Sequence, residues 1–161
     1  MSFVSILQAG RRDFLDTTSG IAKDVRPRAG WSVLECIEHV VTVEELYQEW
    51  LRAAKQIDPV RDADKELRIF SMVRSRLTKV ETPERFRPSG RFATIGDALQ
   101  AFTSVRERSI EMARELGDAL YSMGVRHPRF GDLNGAECVN LMDAHARRHA
   151  DQIREIVEVS A

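Results

Sequence analysis

The stretch NGAECVNLMDAHARRHADQIREIVEV, residues 134–159, reads as one long amphipathic helix. Asn134 stands where an N-cap belongs, and Glu137 follows at the third helical position, the spacing of a capping box. Behind that cap, Cys138, Met142, His145, His149, Ile153 and Ile156 recur every three or four residues, the repeat that lines one face of an α-helix. Two members of this apolar stripe are histidines at i and i+4. Their rings project from the same face, one turn apart.

The same periodicity predicts three more long helices. The first spans about Phe3 to Ala22, with Phe3, Ile6, Leu7, Phe14 and Ile21 inward, and Gly20 weakens its end. The second opens at Ser32, with Glu35 closing a capping box and Trp31 in the staple position before the cap. It is expected to run to about Ile57, with Cys36, Ile37, Val40, Val43, Tyr47, Trp50 and Leu51 inward. His39 lies beside this stripe, sharing a face with Glu35, Val43 and Leu46. Thr94 and Asp97 open the third helix, whose stripe is Ile95, Leu99, Phe102, Val105, Met112 and Leu116, with Gly117 at its end.

A shorter helical piece, about Ala63 to Val80, carries Leu67, Phe70, Val73 and Leu77 and reads as a surface crossing segment. Residues 81–92 read as irregular, and His127 to Leu133 as a loop. The expected fold is an all-α four-helix bundle in one domain, residues 1–161. The connection between the second and third long helices is about 35 residues, too long for closure by short loops.

Composition removes several function classes. The 161 residues hold 24 Lys+Arg and 25 Asp+Glu, a net charge of −1, and no basic run supports a nucleic-acid groove. No stretch approaches the ~18 apolar residues of a membrane span. Met1 to Arg12 lacks the pattern of a signal peptide, so the cytoplasm is the expected location. Cys36 and Cys138 fall in apolar helical patterns and read as buried, reduced thiols. No nucleophile elbow, Walker loop or dinucleotide fingerprint is present.

Chemistry therefore falls to the histidines. His145 and His149, joined by His39 from another helix, can form a facial set of three neutral imidazoles with positions left open for water or substrate. Imidazole suits zinc, nickel, copper and iron ions. The residues between the pair, Ala146, Arg147 and Arg148, lack the general-base glutamate of an H-E-x-x-H protease. Asp143, Gln152 and Glu35 are within helical reach to orient the rings, and Arg148 can line a pocket mouth for an anionic substrate. His127, before Pro128, reads as structural or surface.

Three segments together resemble the DinB-like superfamily, the DinB/YfiT-like metalloenzymes. They are Trp31 to Val40, the HP-x-x-G loop His127 to Asn134, and the H-x-x-x-H segment His145 to Ile153. The resemblance spans essentially the whole chain. It implies a four-helix bundle with an unusual crossover, homodimeric, with a divalent ion, nickel or zinc, on His39, His145 and His149. It also implies a small-molecule substrate and, in some relatives, a low-molecular-weight thiol.

The expected function is a metal-dependent S-transferase or hydrolase. A thiolate or hydroxide formed at the ion attacks a small electrophile between the second and fourth long helices. The alternative is a metal-binding, stress-related bundle without catalysis, with Cys36 or a carboxylate closing the site as a fourth ligand. A third reading is a metal-free bundle with a polar pocket.

Overall fold

The computed structural model describes residues 1–160. Five helices dominate: α1 (Phe3–Thr18), α2 (Val33–Arg52), α3 (Ala63–Arg74), α4 (Ile95–Leu116) and α5 (Gly135–Ser160). Three short strands, β1 (Lys55–Gln56), β2 (Met123–His127) and β3 (Gly131–Asn134), form an antiparallel sheet in the order β1-β2-β3. Among the described residues no helix is long and apolar enough to cross a membrane.

The helices start where their caps say they should. The Ser32 hydroxyl accepts the Glu35 N–H at 3.2 Å, and the Glu35 carboxylate accepts the Ser32 N–H at 2.8 Å. Asn134 and Glu137 exchange the same pair of bonds at 2.8 and 2.9 Å. Thr94 caps α4 through the Asp97 N–H. Each cap satisfies backbone donors that the first helical turn leaves free.

Several ends fall earlier than the periodicity predicts. α1 stops at Thr18, not Ala22, and α2 at Arg52, not Ile57. Lys55 and Gln56 leave the helix to pair with Gly124 and Met123. α3 stops at Arg74 rather than Val80, and Arg148 takes the carbonyl of Val73 in its last turn and those of Ser75 and Thr78 beyond it. Leu67 and Leu77 are exposed, and Ile69 is the residue that α3 buries. The expected loop after His127 is a hairpin turn between β2 and β3, closed by Gly131 at φ +72°.

α1 packs on α4 and α5, and α2 packs on the same two, so α1 and α2 face each other across the diagonal. Arg11 meets Glu107 and Phe14 packs on Phe102, which sets α1 antiparallel to α4. Asp13 pairs with Arg154 and Gly10 abuts Asp143, which sets α1 parallel to α5. One apolar cluster joins Val33–Val41 to Ile95–Val105 and Ala146–Ile156; the other joins Val43–Leu51 to Ile110, Ala113 and Ala136–Met142. α2 and α4 are thus parallel neighbours, and α5 runs against both. The chain must return the length of the bundle between two parallel neighbours. Residues 53–94 do so, laying α3 against α5. That requirement is the physical reason for the long connection.

A buried polar layer separates the two apolar clusters. The Arg106 guanidinium, fully buried, donates to Glu44 at 2.8 and 2.9 Å, to Asp143 at 3.4 Å and to the Leu7 carbonyl at 3.1 Å. Ser109 donates to Glu44 at 2.7 Å, and Gln48 donates to Ser109 at 2.8 Å. A β-carbon on Gly10 would lie 1.8 Å from Asp143 Oδ1 and 3.0 Å from Arg106 Nη1. Arg106 and Arg147 both hold Asp143, so it cannot swing aside freely. Gly10→Ala is expected to destabilise the fold by about 1–3 kcal/mol, as overpacking does. Urea unfolding followed by circular dichroism checks this; an unchanged midpoint would show that the layer yields without strain.

Candidate metal centre

The site sits where the first half of α2 meets the middle of α5. The apolar cluster of Val33–Val41 and Ala146–Ile156 surrounds it, so the rings arrive from buried faces. His39 and His149 are buried, at 5% and 6% exposure, and His145 is half-buried. His39 Nε2 lies 3.0 Å from His145 Nε2, and His149 Nε2 lies 3.2 Å from the same atom. The three ligand atoms fall within 4.8 Å of one another.

The far nitrogens explain why these atoms converge. His39 Nδ1 donates to the Phe86 carbonyl at 2.7 Å, and His149 Nδ1 donates to Gln152 Oε1 at 2.8 Å. A neutral ring with its proton on Nδ1 presents a lone pair at Nε2. Two such lone pairs therefore point at the His145 Nε2. Burial lowers the pKa of all three rings. The charges of His149 and His39 lower His145 further, and that of His39 lowers His149 further. The rings are neutral at neutral pH, the state a metal needs.

This donor set fits a divalent cation. Two imidazole nitrogens about 2.1 Å from one ion lie about 3.0 Å apart at a right angle and about 3.4 Å apart at the tetrahedral angle, a range that takes in the two short spacings, 3.0 and 3.2 Å. Second partners that fix the tautomer, here Phe86 and Gln152, are the usual company of ligating histidines. Trp31 walls one side, its ring 4.8 Å from His39 and 6.2 Å from His149.

Of the residues expected to support the site, Gln152 does so. Asp143 instead belongs to the Arg106 layer, and Glu35 to its capping box and Arg26. Arg148 instead ties down the end of α3, donating to the carbonyls of Val73, Ser75 and Thr78. Cys36 and Cys138 are free and fully buried, and burial pushes both thiols up to about 12. No thiol or carboxylate joins the three imidazoles among the described residues. A groove of about 710 Å³ opens elsewhere, lined by Trp50, Lys65 and Glu137 among others, and does not include the histidines. The Phe86 carbonyl is a partner that sequence reasoning missed; a backbone oxygen in an irregular stretch leaves no signature.

His127 is structural, and it is buried rather than on the surface. Its Nδ1 accepts the N–H groups of Arg129 and Phe130 at 3.0 and 3.2 Å, so Nε2 carries the proton toward the Tyr47 hydroxyl at 3.2 Å. Burial first, then the charge of Arg129, lowers its pKa from 6.5 to about 4. Between those values the unfolded chain binds a proton that the folded chain refuses. Acid therefore draws the equilibrium toward unfolding. Stability is expected to fall as pH drops from 6.5 to about 4, and less steeply in His127→Gln. Urea midpoints at pH 7, 6 and 5 test this; identical slopes in both proteins would refute it.

Comparisons with known proteins agree with this architecture. A family model described as the DinB superfamily matches residues 7–153. YuaE of Bacillus subtilis (strain 168) is 21% identical over 128 residues, covering 80% of this chain and 78% of YuaE. The solved structure of YfiT from Bacillus subtilis superposes with a TM-score of 0.62 at 15% identity, covering 98% of this chain and 85% of that one. YfiT is described as "a probable metal-dependent hydrolase with an unusual four-helix bundle topology". At that identity the likeness shows a shared fold. The family match takes in all three histidines and most of the four long helices, and the chain belongs to the DinB superfamily.

Proposed function

We propose that this protein is a metal-dependent enzyme in which His39, His145 and His149 hold one nickel or zinc ion. Its substrates are a small electrophile and either a low-molecular-weight thiol or water. The carrying observation is that the His39 and His149 Nε2 atoms lie 3.0 and 3.2 Å from the His145 Nε2, with no thiol or carboxylate in the group among the described residues. Three imidazoles occupy one side of an ion and leave the rest of its coordination sphere to exchangeable ligands. Bound there, a divalent ion supplies the Lewis acidity that lets a thiol or a water lose its proton near neutral pH.

The chain's own residues do the positioning. Phe86 and Gln152 keep the His39 and His149 rings aimed inward. The Trp31 indole shields the outer flank of His39 from water. Among the described residues no carboxylate joins the imidazoles to take a proton from water, whereas a thiol whose ionised form the ion would stabilise needs no such base. That balance favours thiol transfer. Hydrolysis is the second reading, favoured by the description of YfiT. The reading also takes the protein to be a cytoplasmic homodimer of single-domain chains. Sedimentation at the 18.3 kDa mass of one chain would remove the dimer.

The test is turnover of Ni²⁺- or Zn²⁺-loaded protein with simple thiols and 1-chloro-2,4-dinitrobenzene, beside p-nitrophenyl acetate. Ion-dependent conjugate formation is the expected result. Ion-dependent ester cleavage alone would select hydrolysis. With neither, across a panel of thiols and electrophiles, the enzyme reading gives way to an ion that only braces the bundle.

A further inference from the structure

Glu38 is next to His39, nearly fully buried at 2% exposure, and stands outside the group of three imidazoles. Among the described residues its carboxylate makes no salt bridge. Instead Oε1 accepts the Ser89 N–H at 2.7 Å and the Ser89 hydroxyl at 3.2 Å, and Oε2 accepts the Gly90 N–H at 3.2 Å. Two successive backbone N–H groups closing on one anion form a nest. Gly90 has φ +81°, a conformation that side chains disfavour, and nothing lies within 4 Å of where its β-carbon would be. The backbone has bent here to grip a carboxylate, not to avoid a neighbour.

The gripped stretch leads straight back to the site. A 3₁₀ turn, Glu84–Phe86, lies just before the nest, and its last carbonyl is the one that takes the His39 Nδ1 proton. Arg91, just after the nest, pairs with Glu45 at 2.9 and 3.1 Å and with Thr42 at 3.1 Å. Residues 38, 42 and 45 make one stripe on α2. Of these ties, only the one at Glu38 is buried on the helix side and contiguous with a ligand.

We propose that Glu38 is a positioning residue for the metal centre. By holding the Ser89 and Gly90 N–H groups it seats residues 84–90, so that the Phe86 carbonyl fixes the tautomer of His39. Linkage runs both ways: the seated stretch tightens ion binding, and the bound ion steadies the stretch. The inference rests on the three-histidine reading above.

The experiment measures Zn²⁺ affinity by competition with a chromophoric chelator in wild type, Glu38→Gln and Gly90→Ala, beside tryptic cleavage after Arg85. Gly90→Ala strains only the exposed stretch, so it keeps the test open should Glu38→Gln fold poorly. Both variants are expected to bind Zn²⁺ about tenfold more weakly, the usual effect of losing a partner of a ligating histidine. Cleavage at Arg85 should quicken, and Zn²⁺ should slow it in wild type more than in the variants. Tight binding by wild type with unchanged affinity in the variants overturns the role of Glu38 alone, even if Arg85 opens. Failure of wild type itself to bind Zn²⁺ overturns the metal centre, and this inference with it.

Discussion

Replacing Arg106 with alanine is expected to cost about 3–5 kcal/mol of folding free energy, the usual penalty for breaking a buried ion pair from one side. The guanidinium is fully buried and answers to Glu44, Asp143 and the Leu7 carbonyl at once. Alanine leaves two carboxylates almost wholly out of water, at 2% and 1% exposure, with Arg147 as the remaining cation on Asp143. Domains of this kind are stable by about 5–15 kcal/mol in total, so the loss is a large share. Urea unfolding by circular dichroism gives the number. A loss under about 1 kcal/mol, the worth of an exposed pair, would mean that water reaches the layer.

Removing two ligands together, His145→Ala with His149→Ala, is expected to abolish ion binding. Elemental mass spectrometry of protein purified without an affinity tag or chelator checks it. Wild type should carry about one nickel or zinc per chain and the variant none, while its helical circular dichroism persists. The loss must exceed the 10- to 100-fold effect of altering an outer partner, because the donor atoms themselves are gone. No ion in wild type after Ni²⁺ and Zn²⁺ have been offered would sink the metal reading and leave the histidines as packing.

Three of the long helices were legible because each carries its own start signal and a stripe at helical spacing, and α1 was legible from its stripe alone. Ser32 with Glu35, Thr94 with Asp97 and Asn134 with Glu137 all cap as their spacing predicts. The strands were not legible, since β1 has two residues and β2 and β3, five and four, are at the lower limit at which alternation registers, and GDLN does not alternate. α2 was extended past Arg52 because Ala53 and Ala54 suit a helix as well as the bend they occupy; pairing with β2, a distant event in sequence, decides between them. The three histidines were legible from spacing and from apolar neighbours. Their supports were not, because Phe86 contributes a carbonyl and Glu38 grips backbone, and neither contact depends on a motif. Asp143 misled because helical reach says which residues are near, not which of two neighbours claims them.

The Arg106 layer also sets axial registration. Two apolar clusters alone would let a helix slide by a turn, about 5.4 Å, at modest loss, since one aliphatic side chain replaces another. Slippage of α2 past α4 and α5 would part Glu44 from Arg106, which sits on α4 and holds Asp143 of α5, and strand the Glu44 charge in the interior. The same slip would separate Nε2 atoms that now lie 3.0 Å apart. Glu44 is on the helix of His39, and Asp143 is on the helix of His145 and His149. One guanidinium spanning these two carboxylates is thus a vernier for the imidazoles: it penalises every alignment of the helices except the one that brings the three rings level.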